Sequence, residues 1–123
     1  MKRFHVHIAV DDLRASINFY SIIFATAPSM EREGYAKWQL TDPAVNFAIS
    51  QIGKACGVNH FGIQVDSDDE LQEIADRLDD AEIKTVEQEN SNCCYANANK
   101  YWTTDPQGFA WESFHTLSEV DFF

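Results

Sequence analysis

An internal echo limits the fold of this chain more than any other feature. Residues 5–11 read His-Val-His-Ile-Ala-Val-Asp, and residues 60–66 read His-Phe-Gly-Ile-Gln-Val-Asp. A helical stripe follows each copy: Leu13, Ile17, Tyr20 and Phe24 in the first, Leu71, Ile74, Ala75 and Leu78 in the second. Both spacings gather apolar side chains on one helix face. Asp11 or Asp12 is the candidate N-cap of the first helix, and Ser67 with Glu70 makes a capping box for the second. Thr41-Asp42-Pro43 and Thr104-Asp105-Pro106 then mark a turn in each half, before an extended segment. The repeated order predicts strand, helix, then two or three strands, twice over, in about 1–53 and 57–115. With 123 residues this is one domain with a short C-terminal tail.

Alternation along strands puts Val6, Ile8 and Val10 on one face of residues 4–10, and His5, His7 and Ala9 on the other. In residues 60–65, Phe61, Ile63 and Val65 oppose His60, Gly62 and Gln64. The apolar faces suit the helices. If the halves close into one cupped sheet about a pseudo-two-fold axis, His5 and His60 are partners, as are Ser50 and Glu112. Two imidazoles and one carboxylate then converge in a concavity. That set suits non-haem Fe(II) with open positions, and Zn, Mn or Ni can also occupy it.

Nine basic against twenty acidic residues leave a net charge of −11, which disfavours nucleic acid and anionic membrane surfaces. No stretch is long enough to span a bilayer. Met1-Lys2-Arg3 leads into His5, His7 and Asp11-Asp12 rather than an apolar run, so no secretory signal is expected and the cytoplasm is the predicted compartment. Cys56, Cys93 and Cys94 make an odd count, expected to be thiols there. Cys56 reads as a small buried hydrophobe. Residues Glu87–Asn99, Asn-rich and without periodicity, read as a loop that carries the Cys93-Cys94 pair.

The pattern Phe4-His5-Val6-His7, Val10-Asp11-Asp12-Leu13, Asn18-Phe19-Tyr20, Asn59-His60-Phe61-Gly62-Ile63-Gln64-Val65, Asp105-Pro106-Gln107-Gly108 and Trp111-Glu112 resembles the vicinal oxygen chelate superfamily of glyoxalases, extradiol dioxygenases and bleomycin-resistance proteins. The resemblance covers nearly the whole chain. It implies an α+β fold in which paired βαβββ modules, related by pseudo-two-fold symmetry, form a cupped mixed β-sheet around a metal. His5, His60 and Glu112 match three ligand positions, and Ser50 stands where a glyoxalase has a fourth. Asn92-Cys93-Cys94-Tyr95-Ala96 with Lys100-Tyr101-Trp102 is similar, more narrowly, to arsenic–carbon lyases and cadmium-induced proteins. That likeness implies Fe(II) and dioxygen acting on a trivalent organoarsenical held by the vicinal cysteines.

The expected reading is therefore an Fe(II)-dependent dioxygenase, with His5, His60 and Glu112 as catalytic metal ligands and Cys93, Cys94, Tyr101 and His7 at the substrate. Its rivals are a thiol-based protein that binds cadmium or arsenic without turnover, and another glyoxalase-type enzyme. The partner is a small organoarsenical or a soft metal ion, and a homodimer is allowed. Trp38, Trp102 and Trp111 read as sheet core, His115 as outward-facing, and the acidic run Asp66–Glu70 as helix-terminal charge. Ser118–Phe123 reads as a tail that is mobile or docks at an interface.

Overall fold

The first echo segment forms β1 (Arg3–Ala9), and its helical stripe forms α1 (Leu13–Ile23). Asp12 caps that helix by accepting from the Ala15 amide. Strands β2 (Met30–Arg32), β3 (Tyr35–Gln39) and β4 (Val45–Ser50) complete the first half. The second half repeats the order with β5 (Gly57–Val65), α2 (Asp68–Asp80), β6 (Val86–Cys93), β7 (Ala96–Thr104) and β8 (Ala110–Glu119). The structure is a computed structural model that describes residues 1–53 and 55–121. Ser67 caps α2 through the Glu70 amide, while Glu70 reaches back to the Asp66 amide, one residue beyond the usual box.

The strands form one mixed sheet in the order β2-β3-β4-β1-β5-β8-β7-β6. The halves meet where β1 runs antiparallel to β5, with His5 opposite Gly62 and His7 opposite His60. A shift of 55 residues exchanges those two pairs, so the seam itself carries the pseudo-two-fold symmetry. In each half the first strand pairs in parallel with the last, β1 with β4 and β5 with β8.

The outer face packs on the helices. Ile17 of α1 joins Ala36, Trp38, Phe47 and Ile49 in a buried core, with Val6, Ile8, Val10, Leu13, Tyr20 and Phe24 against it. Leu71 and Ile74 of α2 pack with Val65, Ile63 and Leu78. The opposite face curls into the cup, and there His5, His7, Asn46, Ser50, His60, Lys100 and Glu112 are all buried.

Several expectations change. Glu87–Asn99 is a two-stranded hairpin, not a loop. β6 is an edge strand exposed along most of its length, so its residues need no alternation, and backbone pairing alone makes the strand. Cys56 is exposed, because it lies in the connection before β5 and outside the sheet. Trp38 is core, but Trp111 is half-buried in an outer aromatic group with Phe4 and Phe61. Trp102 faces the cup instead. Ser118 and Glu119 extend β8 by pairing with β7, which replaces the start of the expected tail. Phe122 and Phe123 lie outside the described residues.

Candidate metal and thiol site

His5 points into the cup from the centre of the sheet. Its Nδ1–H donates to the Asn46 carbonyl oxygen (3.0 Å) and to Asn46 Oδ1 (3.1 Å). The Asn46 amide nitrogen donates onward to Gln64 Oε1 (3.2 Å), as does Gln39 Nε2 (2.8 Å). That chain fixes Asn46 Oδ1 as the acceptor and therefore His5 Nδ1 as the protonated nitrogen. Asn59 Oδ1 accepts from His60 Nδ1 at 2.7 Å. Both imidazoles thus turn their Nε2 atoms inward, 3.0 Å apart. Glu112 Oε1 lies 3.7 Å from one and 3.6 Å from the other.

Two converging imidazole nitrogens and a carboxylate oxygen make a donor set that suits a cation. Protonation is disfavoured at His5, where burial pulls the pKa down to about 4 against the opposing Glu112 charge. Burial also disfavours the Glu112 carboxylate. Interaction with His60 and the charges of Lys100 and His5 outweigh it and hold the pKa down to about 2. The ligand atoms of His5, His60 and Glu112 all fall within 4.8 Å of one another, so the three residues suit a divalent metal. Asn46 and Asn59 supply the outer hydrogen bonds that metal-binding histidines use to keep their orientation.

Lys100 is the component that sequence reasoning missed. Its Nζ donates to Glu112 Oε2 at 2.6 Å, and both residues are buried, at 5% and 6% exposure. One carboxylate oxygen is thereby committed to Lys100, and the other faces the histidines. The signal was present in the sequence as the alternation Ala96, Ala98, Lys100, Trp102, visible only once that segment is a strand. The same alternation corrects Tyr101. It turns away from the cup toward the α2 side, packing against the core there and bordering a groove with Glu87 and Glu89. Trp102 faces the cup in its place, 5.1 Å from the His60 ring.

Register also revises the partner of Glu112. Glu112 lies opposite Gly62 in β5. The counterpart of Gly62 is His7, and His7 lies opposite Ala48 in β4. Ala48 is therefore the equivalent of Glu112. Ser50, expected there, lies two residues further on and bonds His7 Nε2 through Oγ at 2.8 Å. The second-half turn is one residue longer, Asp105 to Glu112 against Asp42 to Ala48: Asp105 Oδ1 gathers the amides of Gln107 and Phe109, and Gly108 takes φ 92°. An alanine offers no donor, so three protein ligands stand where strict symmetry would give four. His7 itself is buried, its ring 5.0 Å from that of His60, and burial lowers its pKa to about 3.

Cys93 and Cys94 stand where β6 turns into β7. Cys93 pairs with Ala96 across the ladder, so Cys94 and Tyr95 are the two turn residues, with φ 54° and 63°. Such turns favour Asn-Gly, and side chains of this size occupy that region at a cost of about 1–3 kcal/mol each. Contacts with Tyr95 hold the turn. Its ring is buried 5.4 Å from Tyr35, its hydroxyl donates to the Glu33 carbonyl oxygen (3.0 Å), and its own carbonyl accepts from the Val120 amide (2.9 Å). The second-half hairpin is thus anchored on the first half, over the cup. The two Sγ atoms are 3.0 Å apart. The Cys94 thiol donating to Cys93, aided by Lys100, pulls the Cys93 pKa down to about 6, and the same bond pushes that of Cys94 up. Both sulfurs line one cavity of about 260 Å³ with His5, His60 and Glu112.

His115 bonds Asp68 at the start of α2 (2.9 Å), outside the cup. Among the described residues no helix is long and apolar enough to cross a membrane.

Residues 2–113 match the family described as the glyoxalase/bleomycin resistance protein/dioxygenase superfamily. A Bacillus subtilis (strain 168) protein named "probable trivalent organoarsenical cleaving enzyme" is 40% identical over 123 residues, covering 98% of this chain and 84% of that one. "Cadmium-induced protein CadI" of Mycobacterium bovis is 32% identical over 124 residues, covering 100% and 82%. Among solved structures, homoprotocatechuate 2,3-dioxygenase from Arthrobacter globiformis superposes with a TM-score of 0.68 at 21% identity, over 94% of this chain and 36% of that one. That likeness is one of fold.

Proposed function

The chain belongs to the glyoxalase/bleomycin resistance protein/dioxygenase superfamily, and from that footing we propose that it cleaves the carbon–arsenic bond of trivalent organoarsenicals. One observation carries the reading: a vicinal thiol pair and a His-His-Glu triad line the same cavity. Relatives named for organoarsenical cleavage support it. The protein acts as one domain of two modules, about 1–53 and 57–115, in the cytoplasm, where its thiols stay reduced.

Trivalent arsenic is soft and binds thiolate sulfur. Cys93, as the thiolate, displaces one hydroxide from a monosubstituted arsenical. Cys94 then displaces the second, and its proton leaves with that hydroxyl as water. Arsenic is left with two sulfurs and its carbon substituent. His5, His60 and Glu112 would hold the metal, with Asn46, Asn59 and Lys100 fixing their orientation. When bound, Fe(II) would supply the dioxygen activation that oxidation of the arsenic-bearing carbon requires. Zn, Mn and Ni fit the same donors.

The test is anaerobic reconstitution with Fe(II), addition of methylarsenite and air, and measurement of inorganic arsenite. Release by the wild type, lost in Glu112→Ala and in the Cys93→Ser/Cys94→Ser double variant, supports the lyase. Methylarsenite that stays bound through the cysteines without release points to sequestration instead.

A further inference from the structure

Lys37 remains outside the site described so far. β3 turns Tyr35, Lys37 and Gln39 to the cup and buries Trp38 among the residues against α1. Lys37 lies opposite Ala48 in register, just as Trp102 lies opposite Glu112. It therefore occupies the wall next to the alanine that replaces a second carboxylate. Among the described residues its ammonium has no hydrogen bond or ion pair. Lys100, the other lysine of the cavity, is by contrast committed to Glu112. Burial lowers the Lys37 pKa, with Arg32 adding to it, and the charges of Glu119 and Cys94 oppose it only in part. A half-buried ammonium without a hydrogen-bonded or ion-paired partner is poorly compensated, and an anion brought into the cavity would pair with it.

The rest of the wall indicates what carries the anion. Tyr35, Ile52, Trp102 and Phe114 give the cavity an aromatic and aliphatic lining. A volume of about 260 Å³ exceeds the ~150 Å³ that accommodates benzene in an apolar protein cavity. An arene fits, whereas a methyl group would leave most of the space and the Lys37 charge unused.

Resting on the organoarsenical reading above, we propose that Lys37 is a specificity residue that pairs with an acidic substituent on the organic group, so that the site prefers trivalent aryl arsenicals bearing a carboxylate over unsubstituted ones. A charge-assisted pair in a partly buried site predicts a preference of about tenfold or more.

The experiment titrates the full chain with phenylarsonous acid and with 4-carboxyphenylarsonous acid. Anaerobic conditions prevent turnover, and tryptophan fluorescence reports binding because Trp102 lines the cavity. The wild type should bind the carboxylated compound about tenfold more tightly. Lys37→Met, similar in volume, should bring the two affinities together, and Lys37→Arg should restore the preference. Equal wild-type affinities, or a preference that survives Lys37→Met, overturn the assignment. If neither compound binds the wild type, the organoarsenical reading fails, and this inference with it.

Discussion

Replacing Lys100 by methionine removes the ammonium and keeps most of the side chain's volume. What remains is a Glu112 carboxylate 6% exposed, with the imidazoles of His5 and His60 near it. At 2.6 Å and an effective dielectric of about 20, the lost attraction is about 6 kcal/mol before desolvation is counted. Relief of the lysine's own burial cost offsets part of that. Breaking a buried pair from one side typically costs about 3–5 kcal/mol. Against a total of about 5–15 kcal/mol for a domain, that loss is large. The assay is urea unfolding of chelator-stripped protein at pH 7 and at pH 2.5. In the wild type the folded Glu112 pKa of about 2 lies below the ordinary value of ~4.3. Its contribution is therefore complete above ~4.3 and is lost as the pH falls through 2. In Lys100→Met the opposing charge is gone and burial pushes the carboxyl up. The gap between the two proteins should be widest near neutrality and should close in acid. A loss under about 1 kcal/mol at pH 7, or a gap that does not narrow at pH 2.5, refutes the reasoning.

Three further outcomes follow from the same geometry. Gly62→Ala would overlap the Glu112 carbonyl oxygen and place a methyl 3.3 Å from His5 Cδ2, parting β5 from β8; calorimetric titration with Zn(II) should show affinity reduced by about tenfold or more. The Cys93 thiol, held near 6, is ionised above that pH, so stopped-flow capture of methylarsenite should accelerate through pH 6 and level off by about 7.5, where an ordinary thiol would still be gaining past pH 8. Tyr95→Phe deletes the bond to the Glu33 carbonyl and should cost about 1 kcal/mol in urea unfolding, with weaker methylarsenite binding because the turn carrying Cys94 is less firmly held.

What could be read from sequence was what repetition and alternation encode. His5 and His60 share a face because each lies on a strand whose alternate residues are apolar, and the seam register follows from the same echo. Both helix caps lie where Asp12 and Ser67 indicate. Reading failed where neither signal operates. β6 lies at an edge with both faces exposed, so nothing in its residues alternates. The unread strands then hid Lys100 and misdirected Tyr101, because a side chain's face cannot be assigned without its strand. The Ser50 equivalence failed differently: pairing Ser50 with Glu112 takes the first-half turn as the longer by one residue, whereas the ladders make it the shorter by one, and the resulting slip of two residues preserves the face. Alternation is blind to such a slip, and only the ladder partners reveal Ala48.

The charge of the chain and the charge of its cavity have opposite signs, and both follow from where the residues fall. An overall charge of −11 would by itself oppose the formation of thiolates. That argument holds for exposed acids averaged over a surface, such as those on α2, whose charges water and salt screen within about a Debye length. Inside the cup the nearby charges decide. Glu112 is bonded to Lys100, and Lys37 adds a second ammonium to the lining. Apart from the histidines, two cations oppose one carboxylate there before any thiol ionises. A single thiolate at Cys93 balances that excess. A divalent metal among His5, His60 and Glu112 would restore the excess, and with it a reason for the cavity to draw in a substrate carrying its own negative charge.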